Sequence, residues 1–481
     1  MALFAPRQGR AATLAVPFRN HHDNPLRLTH IGRRMNPCAE TVGRGMTLGD
    51  DMARANFWVA IAVGCAALAP TWARAAAFDV NHATALYLAV LSPAARARSD
   101  AYFDGGLWLD AASTLITVLL CWVILRVGLL VSLRDAMRRR GWRPWVVMLA
   151  VAALFVLLLS LLQLPWSIYV DFLRERRFGL MNQTFGGWLG QQAIALALTL
   201  VAGSLVLTVI NAVIRAFPRH WWLIGAGVVG VLAAFFSLIT PVFIMPLFNT
   251  YTDLAPGPLR TRIVAMADAN HIPTNHIVVF DASRQSDRIS ANVSGVGPTV
   301  QISLTDNLVN RTSLPEAAAV VGHEMGHYVL GHVWTGIAVI TLLSAAQFWL
   351  LARWAPGVLA AGAWRRGVRG IDDPAALPVL VGLMSALTLL FLPLSNTSTR
   401  YTESAADAFG LNAAREPDGF ALAAMKLSTY RKIAPPWWEE ALFYDHPSGH
   451  TRVYRAMQWK KDHVPGAIEV VPAPLPDVKG R

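Results

Sequence analysis

Six long apolar runs, each nearly free of charge, decide what this chain can fold into. They extend approximately from Trp108 to Val131, Trp145 to Leu164, Trp188 to Ile214, Trp221 to Leu247, Val333 to Ala352 and Leu377 to Leu394. A helix needs about 20 apolar residues to cross about 30 Å of hydrocarbon, where every backbone group must be paired within the element. The runs meet that length, and tryptophans mark many of their ends. Of the 481 residues, 54% are hydrophobic and 15% charged, too apolar a balance for a soluble chain of this size. The expected fold class is an α-helical integral membrane protein, a bundle of several spans. Pro241 and Pro246, late in the fourth run, predict a kink or an early exit there.

The charges then orient the bundle. The net charge of +12 is carried almost wholly by arginine. These arginines fall largely in short loops between apolar runs, which argues against a nucleic-acid partner. Arg134, Arg138, Arg139, Arg140 and Arg143 separate the first two runs, Arg215 and Arg219 the third and fourth, and Arg365, Arg366 and Arg369 the last two. Alternation puts all three loops on one side, cytoplasmic by the positive-inside rule. The segment between the fourth and fifth runs then faces outward, toward the periplasm if the chain sits in a bacterial inner membrane.

The stretches outside the runs divide the chain further. Residues 1–51 read as a disordered extension or as sequence upstream of the true start. Residues 52–77 read as an export signal, with Arg54, an apolar stretch from Phe57 to Ala69 and small residues at Ala73, Ala75 and Ala77; a first membrane helix is the competing reading. Residues 78–248 form an N-terminal membrane domain, and 464–481 a Pro-rich disordered tail. Residues 249–463 are mixed, with short strand-like pieces at Ile277–Phe280, Arg288–Val293 and Thr299–Leu304, and two spans inserted within them. The three cysteines, Cys38, Cys65 and Cys121, have neither metal nor disulfide spacing.

The chemistry lies in VVGHEMGHYVLGH, Val320 to His332. On a helix, His323 and His327 share a face and can present two imidazoles to one metal ion, while Glu324 can reach a metal-bound water as general base. Ser313 and Glu316 have capping-box spacing and Pro315 lies in the first turn, so a helix is predicted from there. His332, five positions beyond His327, falls off the ligand face and reads as structural. Two histidines need a third ligand, and Glu403 in TRYTESAAD is the best candidate. Asp407, one turn later on the same face, is placed to orient a ligand histidine. One zinc ion per chain is expected.

Five segments together resemble the membrane-embedded CAAX prenyl endopeptidase family, the a-factor-converting zinc metalloproteases, in its bacterial form. They are HEMGHYVLGH, RYTESAADAFG, PVFIMPLFN (Pro241–Asn249), DHPSGHTRV (Asp445–Val453), and a loop matching at Pro165, Tyr169, Phe172, Glu175, Phe178, Gly179, Asn182, Gln183 and Thr184. The resemblance implies a bundle enclosing a membrane chamber, with a zincin-like α+β unit split around the last two spans. It implies zinc ligands at His323, His327 and Glu403 and a base at Glu324. Asp407 matches the family's ExxxD aspartate, for which a role beside the ligands is preferred to that of a proton donor. His446 is implied beside the scissile carbonyl, with Arg452 supporting it at the oxyanion. Substrates are implied to lie extended along an edge strand between Arg288 and Val300. The chain departs from the family there: Ser290 stands where asparagine is expected and Asn292 where tyrosine is expected, so the amide that grips substrate is either missing or supplied by Asn292. The function expected is zinc-dependent hydrolysis of membrane-associated or CAAX-like peptides, with peptide or protein substrates and the bilayer as partners and the oligomeric state open. The alternative is a non-catalytic chamber or carrier that retains the fold.

Overall fold

The computed structural model describes residues 78–295, 299–361 and 367–476. The extension and export signal expected over 1–77, and Arg365 and Arg366, lie outside them. Among the described residues six helices are long and apolar enough to cross a membrane, where the apolar runs put them.

Helix α1 (Val80–Leu88) leads to α2 (Pro93–Val127), which absorbs both the segment before the first run and the run itself. Ser92 caps α2 by accepting the Ala95 N–H, and Pro93 occupies a first-turn position that needs no donor. The helix stops at Gly128, whose φ of 79° is open to glycine, so the end of the run opens α3 (Leu129–Arg139) instead. Next, α4 (Pro144–Ser167) carries Pro165 inside it. Proline supplies no N–H, and the helix widens into a π-helical stretch, Ile168–Leu173, before the one-turn α5 (Arg174–Arg177). Helices α6 (Phe185–Ala216) and α7 (Trp221–Ile239) complete the N-terminal spans. Beyond α7, Pro241 and Pro246 sit in a π turn and a 3₁₀ turn, so the regular helix breaks where a kink or an early exit was expected.

A small α+β unit follows: β1 (Tyr251–Asp253), α8 (Pro258–Ala269), β2 (His276–Phe280), β3 (Ala291–Ser294) and β4 (Gln301–Thr305). The sheet order is β1-β2-β4-β3, with β2 parallel to β4 and the outer pairs antiparallel, which leaves β3 at an edge. Ile277, Ile302, Leu304, Ile263, Val321 and Met325 form its core with the helix that follows. After α9 (Asp306–Arg311) comes that helix, α10 (Leu314–Val329), with Ser313 N–H donating to Glu316 Oε2 at 2.6 Å as the capping-box spacing predicted. The two late spans are α11 (His332–Ala360) and α12 (Leu377–Ala414). At 38 residues, α12 is about 57 Å long, well beyond the hydrocarbon thickness, so its C-terminal half projects out of the membrane into the α+β unit. Helices α13 (Pro417–Leu427), α14 (Trp437–Phe443) and α15 (Gly449–His463) close the unit.

Three of the six spans are barely covered. Only 6% of the apolar window of α7 and its exit turns, and 11% of those of α2 and α6, is buried. Helices this bare have one face for lipid and leave another open, the arrangement of walls around a chamber rather than of a close-packed bundle.

Polar contacts distinguish the two ends of the bundle. At one, the Arg134 guanidinium, 1% exposed, pairs with Asp373 and Asp135 and donates to the Gly367 carbonyl, while Asn211 Nδ2 donates to the Asp372 carbonyl. This gathers the arginine-bearing loops together. At the other, the loop after α5 meets the α+β unit: Asn182 N–H donates to the Gln285 carbonyl and Glu175 pairs with Arg288 at 2.9 Å. Residues 464–476 form neither helix nor strand, as expected for a tail, but they are tied down. Leu475 N–H donates to the Val90 carbonyl at 2.8 Å, and Glu469 pairs with His82. The expectation of a loose tail from residue 464 is corrected as far as Pro476, because α1 offers it a histidine and the turn after α1 a carbonyl.

Candidate metal centre

His323 and His327, one turn apart on α10, turn their Nε2 atoms toward each other at 3.1 Å. Glu403 on α12 brings Oε2 within 3.2 Å of His323 Nε2 and Oε1 within 3.5 Å of His327 Nε2. Two donors about 2.0–2.1 Å from a tetrahedral zinc lie about 3.3–3.4 Å apart, so the spacing fits that ion. Glu403 is 2% exposed, and its Oε2 receives no hydrogen bond despite the two rings beside it. A buried carboxylate oxygen without a donor, facing two imidazole nitrogens, is a poor arrangement for the protein alone and a good one around a cation.

The helices reach this distance because glycine removes the side chains between them. A Cβ on Gly410 of α12 would lie 2.8 Å from the His323 backbone nitrogen, and one on Gly326 of α10 would lie 3.1 Å from the Ala406 Cα. Backbone therefore packs on backbone, and short Asp and Glu side chains span the gap. The sequence reading treated neither glycine as part of the site. The signal was present in HEMGH and DAFG, but a close approach between two helices is a tertiary fact.

Around the donors lies a shell of buried charge. Asp407, one turn past Glu403, puts Oδ1 at 2.8 Å from His323 Nδ1, although off the direction of a ring N–H. Arg452 of α15 grips the same carboxylate with both forks, Nε to Oδ2 at 3.0 Å and Nη2 to Oδ1 at 2.5 Å. Burial opposes charge on Arg452, but Asp407 holds its pKa above the ordinary value, so it stays a cation. Burial opposes charge on His323 as well, yet Asp407 and Glu403 push it up to about 10. Burial first, and His323 second, bring His327 down to about 3, leaving it neutral, the ligating form. Glu324 is pushed up to about 7, chiefly by burial.

The remaining expected residues divide. His446, after α14, sets Nε2 at 3.2 Å from Glu403 Oε2, while its Nδ1 meets Asp445 Oδ1 at 2.9 Å. It stands beside the donor set. Arg452 was expected to support His446 at the substrate. Its guanidinium pairs with Asp407, and the side chain lines the same cavity as His446. A cavity of about 120 Å³ opens beside Glu324 and His323, bounded by Ser290 and Ala291 at the edge strand and by Val320, Phe420, Ala423 and Leu427. Ser290 lines it; Asn292 is not among its lining residues, and its Oδ1 accepts from Ser294 Oγ at 3.3 Å. Side chains two apart share a strand face, but the cavity ends before Asn292. His332, read from sequence as structural, places Nδ1 at 2.9 Å from His327 Nδ1.

Two family models match in tandem: the CAAX prenyl protease N-terminal model, with five membrane helices, over residues 83–250, and peptidase family M48 over 255–460. The chain thus carries an M48 peptidase segment preceded by a CAAX prenyl protease N-terminal segment. It is 28% identical to the uncharacterized metalloprotease YhfN of Bacillus subtilis, over 63% of this chain and 72% of that protein. It is 35% identical to CAAX prenyl protease 1 of Saccharomyces cerevisiae over 36% of this chain, an alignment spanning only 39% of the yeast protein. The crystal structure of S. mikatae Ste24p matches with a TM-score of 0.58 at 24% identity, over 66% of this chain and 77% of that one, which shows a shared fold. The M48 match begins after the fourth described span and ends within α15, so it contains every candidate donor.

Proposed function

We propose that this protein is a zinc endopeptidase of the membrane that cuts peptides lying beside its edge strand. One observation carries the reading. Two imidazole nitrogens and a carboxylate from separate helices converge at 3.1–3.5 Å, with the carboxyl of Glu324 beside them on the wall of a cavity. His323, His327 and Glu403 would hold the zinc. When bound, zinc polarises a carbonyl oxygen and lowers the pKa of water in its open position. Glu324 takes a proton from the attacking water and returns it to the leaving amine. His446 donates from Nε2 to the oxygen on which negative charge develops. Asp407, held by Arg452, fixes His323. The apolar cavity wall favours an aliphatic side chain beside the cut bond.

Membrane-associated or misfolded peptides are the proposed substrates, with a periplasmic active site in a bacterial inner membrane. The gathering of Arg134, Asn211 and Arg369 loops at the end opposite the α+β unit supports that orientation. The test is cleavage of a quenched apolar peptide by detergent-purified wild type and Glu324→Gln. The expected result is a loss of roughly 10²-fold or more with zinc retained, as for removal of a general base. Zinc binding with no Glu324-dependent cleavage of any peptide would favour the carrier reading instead.

A further inference from the structure

The His332 ring faces the back of His327. α10 ends at Val329, Gly331 takes a left-handed φ of 66°, and α11 starts at His332. Inside one continuous helix, a residue five positions on would point away. The reversal at Gly331 swings His332 round until the rings meet edge-to-face, with centroids 5.0 Å apart and Nδ1 atoms 2.9 Å apart. His332 is 6% exposed, so its position is set by packing.

Two nitrogens at 2.9 Å share one hydrogen, and only one assignment suits the donor set. If His332 donated, His327 would carry its hydrogen on Nε2, pointing at His323 Nε2 3.1 Å away and closing the lone pair to any metal. If His327 donates from Nδ1, its Nε2 is a lone pair aimed between His323 and Glu403, and His332 is neutral with its hydrogen on Nε2. Ligand histidines commonly give their second N–H to a carboxylate, a carbonyl or water. Here the acceptor is another imidazole. We propose that His332 is a positioning residue for the metal site, fixing the tautomer and rotation of His327 by accepting its Nδ1 hydrogen. This rests on the zinc reading above.

The test compares His332→Phe, which fills the space but accepts nothing, with His332→Asn, which offers an acceptor. The probe is zinc itself, followed by its release to a chelator from full-length protein in detergent. His332→Phe is expected to bind zinc roughly 10- to 100-fold more weakly than wild type, as for loss of a partner behind a metal ligand. His332→Asn is expected to recover much of that. Equal retention by His332→Phe and wild type, or equal loss in both variants, would overturn the proposal. Failure of the wild type to bind zinc would instead sink the zinc reading. Should His332→Phe not fold, nitrogen-15 NMR of histidine-labelled, zinc-loaded wild type decides. It should show His332 protonated at Nε2 and not at Nδ1, and the opposite pattern would refute the assignment.

Discussion

Replacing Arg452 with methionine is the sharpest probe of the charge shell. The change keeps the aliphatic stem and removes the guanidinium that meets both oxygens of Asp407 at 3.0 and 2.5 Å. Asp407 is 1% exposed, so its carboxylate would be left with only the misaligned His323 Nδ1 at 2.8 Å. Stranding one member of a buried pair costs about 3–5 kcal/mol. Neutralising the stranded partner with Asp407→Asn removes most of that penalty, so the double variant should be more stable than Arg452→Met alone, with a coupling of about 2–3 kcal/mol. Thermal unfolding of the zinc-stripped protein in detergent, at one scan rate for all four proteins, reads this without the metal's contribution. Chelator competition then reads zinc affinity, which should follow the same order. Additive losses in the cycle would refute the reasoning. So would an Arg452→Met protein of normal stability whose only defect is a raised KM, because the guanidinium would then serve substrate rather than Asp407.

Further outcomes follow from the packing and the loops. Gly410→Ala should cost zinc binding and at least about 1–3 kcal/mol of stability, as for an overpacked core, because its Cβ would meet the His323 backbone at 2.8 Å; unchanged zinc affinity would show that the helices can separate freely. Asp135, bonded by Arg134, has its pKa lowered in the folded protein, so the bond adds stability that is present above about pH 4 and lost as the pH falls through the folded value. Asp135→Asn should therefore flatten the acid limb of a stability–pH curve, and an unchanged limb would argue against the pair.

Much of this architecture could be read from residue order, because hydrocarbon tolerates so few structures. Runs of apolar residues placed six spans, and Pro241 and Pro246 marked where the regular helix of the fourth breaks. The capping residues Ser313 and Glu316 placed the start of α10. What escaped was set by contacts distant in sequence or by local breaks. The strand β1 has three residues and exists only by pairing with β2. The continuity of α12 through Pro393 to Glu403 is invisible to a hydropathy reading that ends at Leu394. His332 was set aside because helical spacing was extended through Gly331, where the chain reverses. The pairing of Arg452 with Asp407 joins two helices distant in sequence and had no local signal. The four residues His323, His327, Glu403 and Glu324 were legible because an i, i+4 pair and a carboxylate just past a span leave few other uses for such polar groups.

The most direct measurement is zinc stoichiometry in wild type and Glu403→Ala, each purified with its fold verified. One zinc per wild-type chain is expected, and little or none in Glu403→Ala, since the third donor lies on α12, 76 residues further along than His327. Full zinc occupancy and unaltered affinity in Glu403→Ala would contradict a centre shared between α10 and α12.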